Sequence, residues 1–149
     1  MATSEGEAVV ELTIPGKPEY VGVARLAILG VASRMRFSYD EVEDIRLAVG
    51  EACTTAIERA PPAAQVPGAQ ITAQEVRIRC LIDPTRLVVE VSDSAPAPAS
   101  TDPAPLNDSG LDERGLGGVL IRILMDDVQT ADEPGTGRRL VRMIKYVAR

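Results

Sequence analysis

Histidine and tryptophan are absent from the 149 residues, and one Phe and three Tyr supply all the aromatic surface. Without histidine, imidazole-ligated metal sites and Ser-His-Asp or Cys-His catalysis are excluded, which removes a large share of hydrolases. Scarce aromatics leave few platforms for stacking nucleic-acid bases. A formal net charge of −6 opposes the phosphate neutralisation that such binding needs, so no direct nucleic-acid partner is expected. Cysteine is limited to Cys53 and Cys80, which lack CxxC spacing and lie inside apolar patterns, as reduced core thiols do. No stretch reaches the roughly 18 apolar residues of a membrane span, and MATSEGEAVVEL has no basic start followed by an apolar run. A cytoplasmic protein without a membrane partner is expected.

What remains is a core of Val, Leu, Ile and Ala. A polar leader over residues 1–7 precedes a single domain over 8–149. Ala8, Val10, Leu12 and Ile14 alternate as in a strand until Pro15-Gly16. Pro18 opens a helix to about Arg34, with Tyr20, Ala24, Ala27, Ile28, Val31 and Met35 on one stripe. Leu26 and Leu29 lie off that stripe, surplus apolar surface that points to a second contact. Ser38 and Glu41 make a capping box, and Phe37 and Val42 stand at the positions of a hydrophobic staple. The helix they start carries Val42, Ile45, Val49, Ala52, Cys53, Ala56 and Ala60 on one side and ends at Pro61-Pro62. A loop is expected over 61–71.

Val76, Ile78, Cys80 and Ile82, a turn at Asp83-Pro84-Thr85-Arg86, and Leu87, Val89 and Val91 read as a hairpin. Residues 94–108, rich in Ala, Pro, Ser and Asp, have almost nothing to bury and read as a lid or disordered loop. A buried helix follows Gly115-Leu116-Gly117-Gly118. A short strand near Val128–Thr130, a turn over 133–137 and an alternating strand over 139–147 close the chain. Arg138, Arg139, Arg142, Lys145 and Arg149 near the C-terminus read as the charged face of that last strand. The order predicts an α/β two-layer sandwich, a mixed, mostly antiparallel sheet with helices on one face.

Three features carry chemistry. Glu51 and Thr55 are four residues apart and share one helix face at the edge of the apolar stripe. Asp93 ends a strand where the apolar pattern stops. Gly115, Gly117 and Gly118 start a helix whose open N–H groups and dipole favour an anion. Taken singly, Glu51 reads as an ordinary helix-flank glutamate and Asp93 as a turn residue; their order along the chain is the informative feature.

At these residues the sequence resembles the anti-sigma factors and serine-protein kinases of the GHKL ATPase superfamily, from about Val10 to Val147. DIRLAVGEACTTAIERA is similar to the family's N-box helix, and ERGLGGVLIRILMDDV to its second glycine box and following helix. The resemblance implies the Bergerat, or histidine-kinase-like, ATPase fold, with ATP or ADP and Mg2+ as ligands. It places Glu51 on the catalytic glutamate, Asp93 on the aspartate that binds the adenine amino group, and Gly115, Leu116 and Gly117 beside the phosphates. Residues 94–114 fall on the ATP lid.

Two positions depart from the pattern. The magnesium-binding asparagine is Thr55 here, and its hydroxyl stands one bond closer to the backbone than an amide oxygen. The family's DxGxG is Asp93-Ser94-Ala95-Pro96-Ala97, without either glycine. The implied partners are a sigma factor, an anti-anti-sigma protein of STAS type and a second copy of the chain. The implied activity is sigma-factor sequestration, either with phosphorylation of the anti-anti-sigma partner on serine or as a non-catalytic binding module.

Overall fold

A computed structural model describes residues 7–59, 74–93, 115–132 and 139–148. The expected leader through residue 6, the loop over 61–71, the lid over 94–114 and the turn over 133–137 lie outside the described residues. The elements run β1 (Ala8–Pro15), a 3₁₀ turn (Pro18–Tyr20), α1 (Val21–Ala32), α2 (Tyr39–Glu58), β2 (Glu75–Asp83), β3 (Arg86–Asp93), α3 (Gly115–Leu124), β4 (Asp127–Asp132) and β5 (Arg139–Tyr146). The strands form one sheet in the order β1-β2-β3-β5-β4. All four ladders are antiparallel, the limiting case of the mostly antiparallel sheet expected.

Helix α2 packs over the centre of the sheet, on β3, β2 and β5; α1 lies beside it over β1, and α3 over β4. The start of α2 is fixed as the sequence indicates. Ser38 Oγ accepts from the Glu41 amide at 3.1 Å, and Glu41 Oε1 accepts from the Ser38 amide at 2.8 Å. Val42 is buried and Phe37 packs against the core, which closes the staple. In α1 the buried residues are Val21, Ala24, Ile28 and Ala32, whereas Tyr20 is exposed. Of the expected stripe, Ala24 and Ile28 are buried and Val31 and Met35 pack partly against the core, while Tyr20 ends the 3₁₀ turn Pro18–Tyr20 ahead of α1. Leu29 packs partly against the core and Leu26 stays outside at 70% exposed.

The β2–β3 hairpin turns where Asp83 draws its neighbours in. Asp83 Oδ1 accepts from the amides of Thr85 and Arg86 and from the Thr85 hydroxyl. These bonds, the hydroxyl's first, hold the Asp83 carboxyl below its ordinary pKa.

Alternation along the strands points Ile14, Val76, Ile78, Leu87, Val89, Val91 and Met143 at the helices, where they are buried. The opposite face has its own order. Val9, Leu81, Val88 and Ile144 stand in register across four strands, and Val88 and Ile144 are buried although none of the described helices lies over them. Beside that row run Glu11, Arg79, Glu90 and Arg142, of alternating sign, with contacts of 3.6 Å for Glu11–Arg79 and 4.0 Å for Glu90–Arg142. Such ion pairs contribute little, but the long stems of the arginines cover apolar surface.

The last strand corrects one expectation. Lys145 does not share the outward face of Arg142, because residues three apart on a strand point to opposite sides. It faces the helices and is buried.

Replacing Ser38 by Ala removes one half of the capping box. Urea unfolding is expected to show a loss of about 1 kcal/mol with an unchanged slope.

Candidate active site

The rotation of α2 decides which of its side chains lie on each flank. Its buried residues include Val42, Ile45, Val49, Ala52, Cys53 and Ala56, which seat it on the sheet. On the α1 flank lies Gly50, whose missing side chain makes room for Arg25: a Cβ there would collide with Arg25 Nε. Glu51, Thr55 and Arg59 follow one another at four-residue intervals and form a single row on the other side, each half-buried. The row spans about 12 Å of helix axis.

The C-terminal end of α3 is fastened near the start of α2. Lys145 Nζ donates to the carbonyl oxygen of Leu124 at 2.7 Å, capping the last turn of α3, and lies 3.9 Å from Asp44 Oδ2 near the start of α2. Helix α3 packs against α2. The backbone of Gly115, Leu116 and Gly117 forms the first turn of α3, the positive end of its dipole.

Asp93 closes the other end. It is the last residue of β3, 4% exposed, and its Oδ2 accepts from Arg59 Nη1 at 2.5 Å. A buried carboxylate left unpaired is costly, and the guanidinium offsets that cost. The C-terminal turn of α2 is tied to the same sheet end by Gln74, whose Nε2 donates to the Ala56 carbonyl at 2.9 Å. The Arg59 amide itself donates to the Thr55 carbonyl at 3.1 Å. Glu51 and Thr55 thus share one row with Arg59, and Arg59 joins that row to Asp93. Arg59 was missed in the sequence, although it is the next four-residue step beyond Glu51 and Thr55.

Neither thiol contributes to this chemistry. Cys53 and Cys80 are free and buried, and burial pushes their pKa values up to about 12 and about 11. Thiolate, the nucleophilic form, is therefore scarce at neutral pH.

Residues 14–145 match the family model described as the histidine kinase-like ATPase domain. The serine-protein kinase RsbW of Bacillus subtilis (strain 168) is 38% identical over 146 residues, covering 93% of this chain and 85% of that protein. Proteins of the same name from Bacillus pumilus (strain SAFR-032) and Halalkalibacterium halodurans are 37% and 33% identical; each match covers 94% of this chain, and 86% and 84% of the relatives. This chain belongs to the histidine kinase-like ATPase family, in its RsbW group. Membership implies use of ATP. Among the described residues no helix is long and apolar enough to cross a membrane.

In this kinase-like domain Lys145 joins the end of α3 to β5 and α2. Lys145→Met leaves the Leu124 carbonyl without that donor and is expected to cost about 1–3 kcal/mol. A lower urea midpoint, with faster amide exchange in the last turn of α3, is the result that checks it.

Proposed function

We propose that the protein is an anti-sigma factor of the cytoplasm. It sequesters an alternative sigma factor, yields it when an anti-anti-sigma protein of STAS type competes, and phosphorylates that partner on serine with ATP. The observation that supports the catalytic part is that Glu51 and Thr55 share a row with Arg59, which is bonded to the buried Asp93. The serine-protein kinase relatives support the same reaction.

In this reading Asp93 accepts the amino group of adenine, and the first turn of α3, over Gly115, Leu116 and Gly117, offers N–H groups to the phosphates. Glu51 accepts the proton of the partner's serine hydroxyl. That oxygen bonds to the γ-phosphorus, the bond from the γ-phosphorus to the bridging oxygen breaks, and ADP leaves. Among the described residues no group of three or more His, Cys, Asp or Glu could hold a metal. The donor set near Thr55 is one hydroxyl with the Glu51 carboxylate a turn away. This fits Mg2+, which binds few protein oxygens and completes its shell with phosphate and water. When bound it would offset phosphate charge, with Thr55 its direct or water-linked contact.

A non-catalytic binding module is the second reading, favoured by Thr55 and by the missing glycines after Asp93. Calorimetric titration with ATP, with Mg2+ or with EDTA, separates the two. Thr55→Asn is expected to tighten ATP binding in Mg2+ and not in EDTA, and Glu51→Ala to slow serine phosphorylation by about 10²- to 10⁴-fold while sigma-factor binding survives. Flat traces from wild type and Thr55→Asn in both buffers would reject the enzymatic reading, and failure to capture any alternative sigma factor would reject the regulatory one.

The same proposal includes a homodimer. Val10, on the helix side of β1, and Val23 and Leu26, on α1, are 40%, 46% and 70% exposed, apolar side chains that a second copy would cover. Sedimentation at tens of micromolar is expected to show twice the 15.9 kDa chain mass, and a clean monomer would contradict it.

A further inference from the structure

The pair formed by Arg59 and Asp93 joins residues 34 positions apart, the cap of α2 and the end of β3. Its two members differ in surroundings: the Asp93 side chain is 4% exposed and that of Arg59 21%. Arg59 is also fixed from behind. It stands just past the last turn of α2, and its amide donates to the Thr55 carbonyl.

We propose that Arg59 is the positioning residue of the base seat, which sets the preference of the site for a 6-aminopurine nucleotide over a 6-oxopurine one. This rests on the reading above that Asp93 receives the base. A carboxylate is an acceptor only, whereas a carboxylic acid also donates. The guanidinium bond engages Oδ2 of Asp93 in a site that water barely reaches. The planar guanidinium also restricts how the carboxylate plane can turn. A carboxylate offers about four lone-pair sites, more than the guanidinium bond to Oδ2 uses. The amino hydrogen of adenine then meets an oriented acceptor. The carbonyl oxygen of a 6-oxopurine meets a second acceptor with no hydrogen between them, and such mismatches discriminate strongly.

Arg59 thereby links two ends of the reaction. It lies on the row of Glu51 and Thr55, so the residue that orients the base seat and the residue that takes the proton share one helix. A base held in the wrong tilt would shift the far end of the nucleotide relative to Glu51.

The test measures binding of ATP and of inosine triphosphate, which carries the 6-oxo group, to the full chain. Wild type, Asp93→Asn, Arg59→Met, Arg59→Gln and Arg59→Lys are compared, with circular dichroism and thermal melting as controls of folding. Wild type is expected to prefer ATP by at least about tenfold. Arg59→Met is expected to bring the two affinities within about threefold of each other, chiefly by weakening ATP. Arg59→Lys, which keeps the charge without the planar fork, is expected to recover part of the preference. Should Arg59→Met not fold, Arg59→Gln is read in the same way.

Arg59 variants that retain the wild-type preference overturn the proposal and leave the base seat at Asp93 intact. Variants that lose both nucleotides by one factor, with no recovery by Lys, overturn it by showing a structural role. Tighter ATP binding by Arg59→Met overturns it by showing a latch that the nucleotide has to break. A wild type without preference, matched by Asp93→Asn, removes the base seat itself.

Discussion

The contact between α2 and the middle of the sheet is the constraint on which the site depends. Nine residues of α2 are buried, from Val42 to Ile57, and they set the rotation of the helix about its axis. Once that rotation is set, Gly50 faces α1 and the row of Glu51, Thr55 and Arg59 falls on the other side. Hydrophobic burial, which has no direction of its own, thus aims three polar side chains. Turning the helix by one residue, about 100°, would send Glu51 into the packed layer or out into water.

Much of this arrangement was legible in the sequence because its signals are local. A capping box needs only Ser38 and Glu41, and a strand needs only the alternation of Val76, Ile78 and Cys80. The positions of Glu51 and Thr55 on one face follow from helix spacing alone. What escaped was set by contacts between distant segments. Arg59 meets Asp93 only because β3 ends beneath the last turn of α2. Lys145 looked like one more cation on a charged strand face, and its burial follows from strand parity and from a carbonyl of α3 waiting opposite. Tyr20 fell off the expected stripe of α1 because it ends the 3₁₀ turn Pro18–Tyr20, whose different pitch the apolar pattern does not reveal.

Position and chemistry are held by different means at this site. Gln74 and Lys145 act on backbone carbonyls, Ala56 and Leu124, and so fasten helix ends without using a residue of the row. Asp44 stands 3.9 Å from the same Lys145 amine, which brings the start of α2 and the end of α3 together at one support. The polar residues nearest the chemistry are therefore spared most structural duty. Asp93 is the exception, since its burial makes the ion pair with Arg59 part of both the packing and the site.

The open face of the sheet has a consequence for long-range forces. Its outward positions carry Arg77, Arg79, Arg86 and Arg142 against Glu11, Glu75, Asp83, Glu90 and Asp127, four cations to five anions, a balance of −1. The whole chain carries −6, so a surplus of −5 belongs to residues outside that face. A molecule drifting toward the ladder of alternating charge meets opposing fields that largely cancel within a Debye length. Encounters on that side gain little from electrostatic guidance and should depend weakly on ionic strength, whereas a positively charged partner is drawn in from elsewhere.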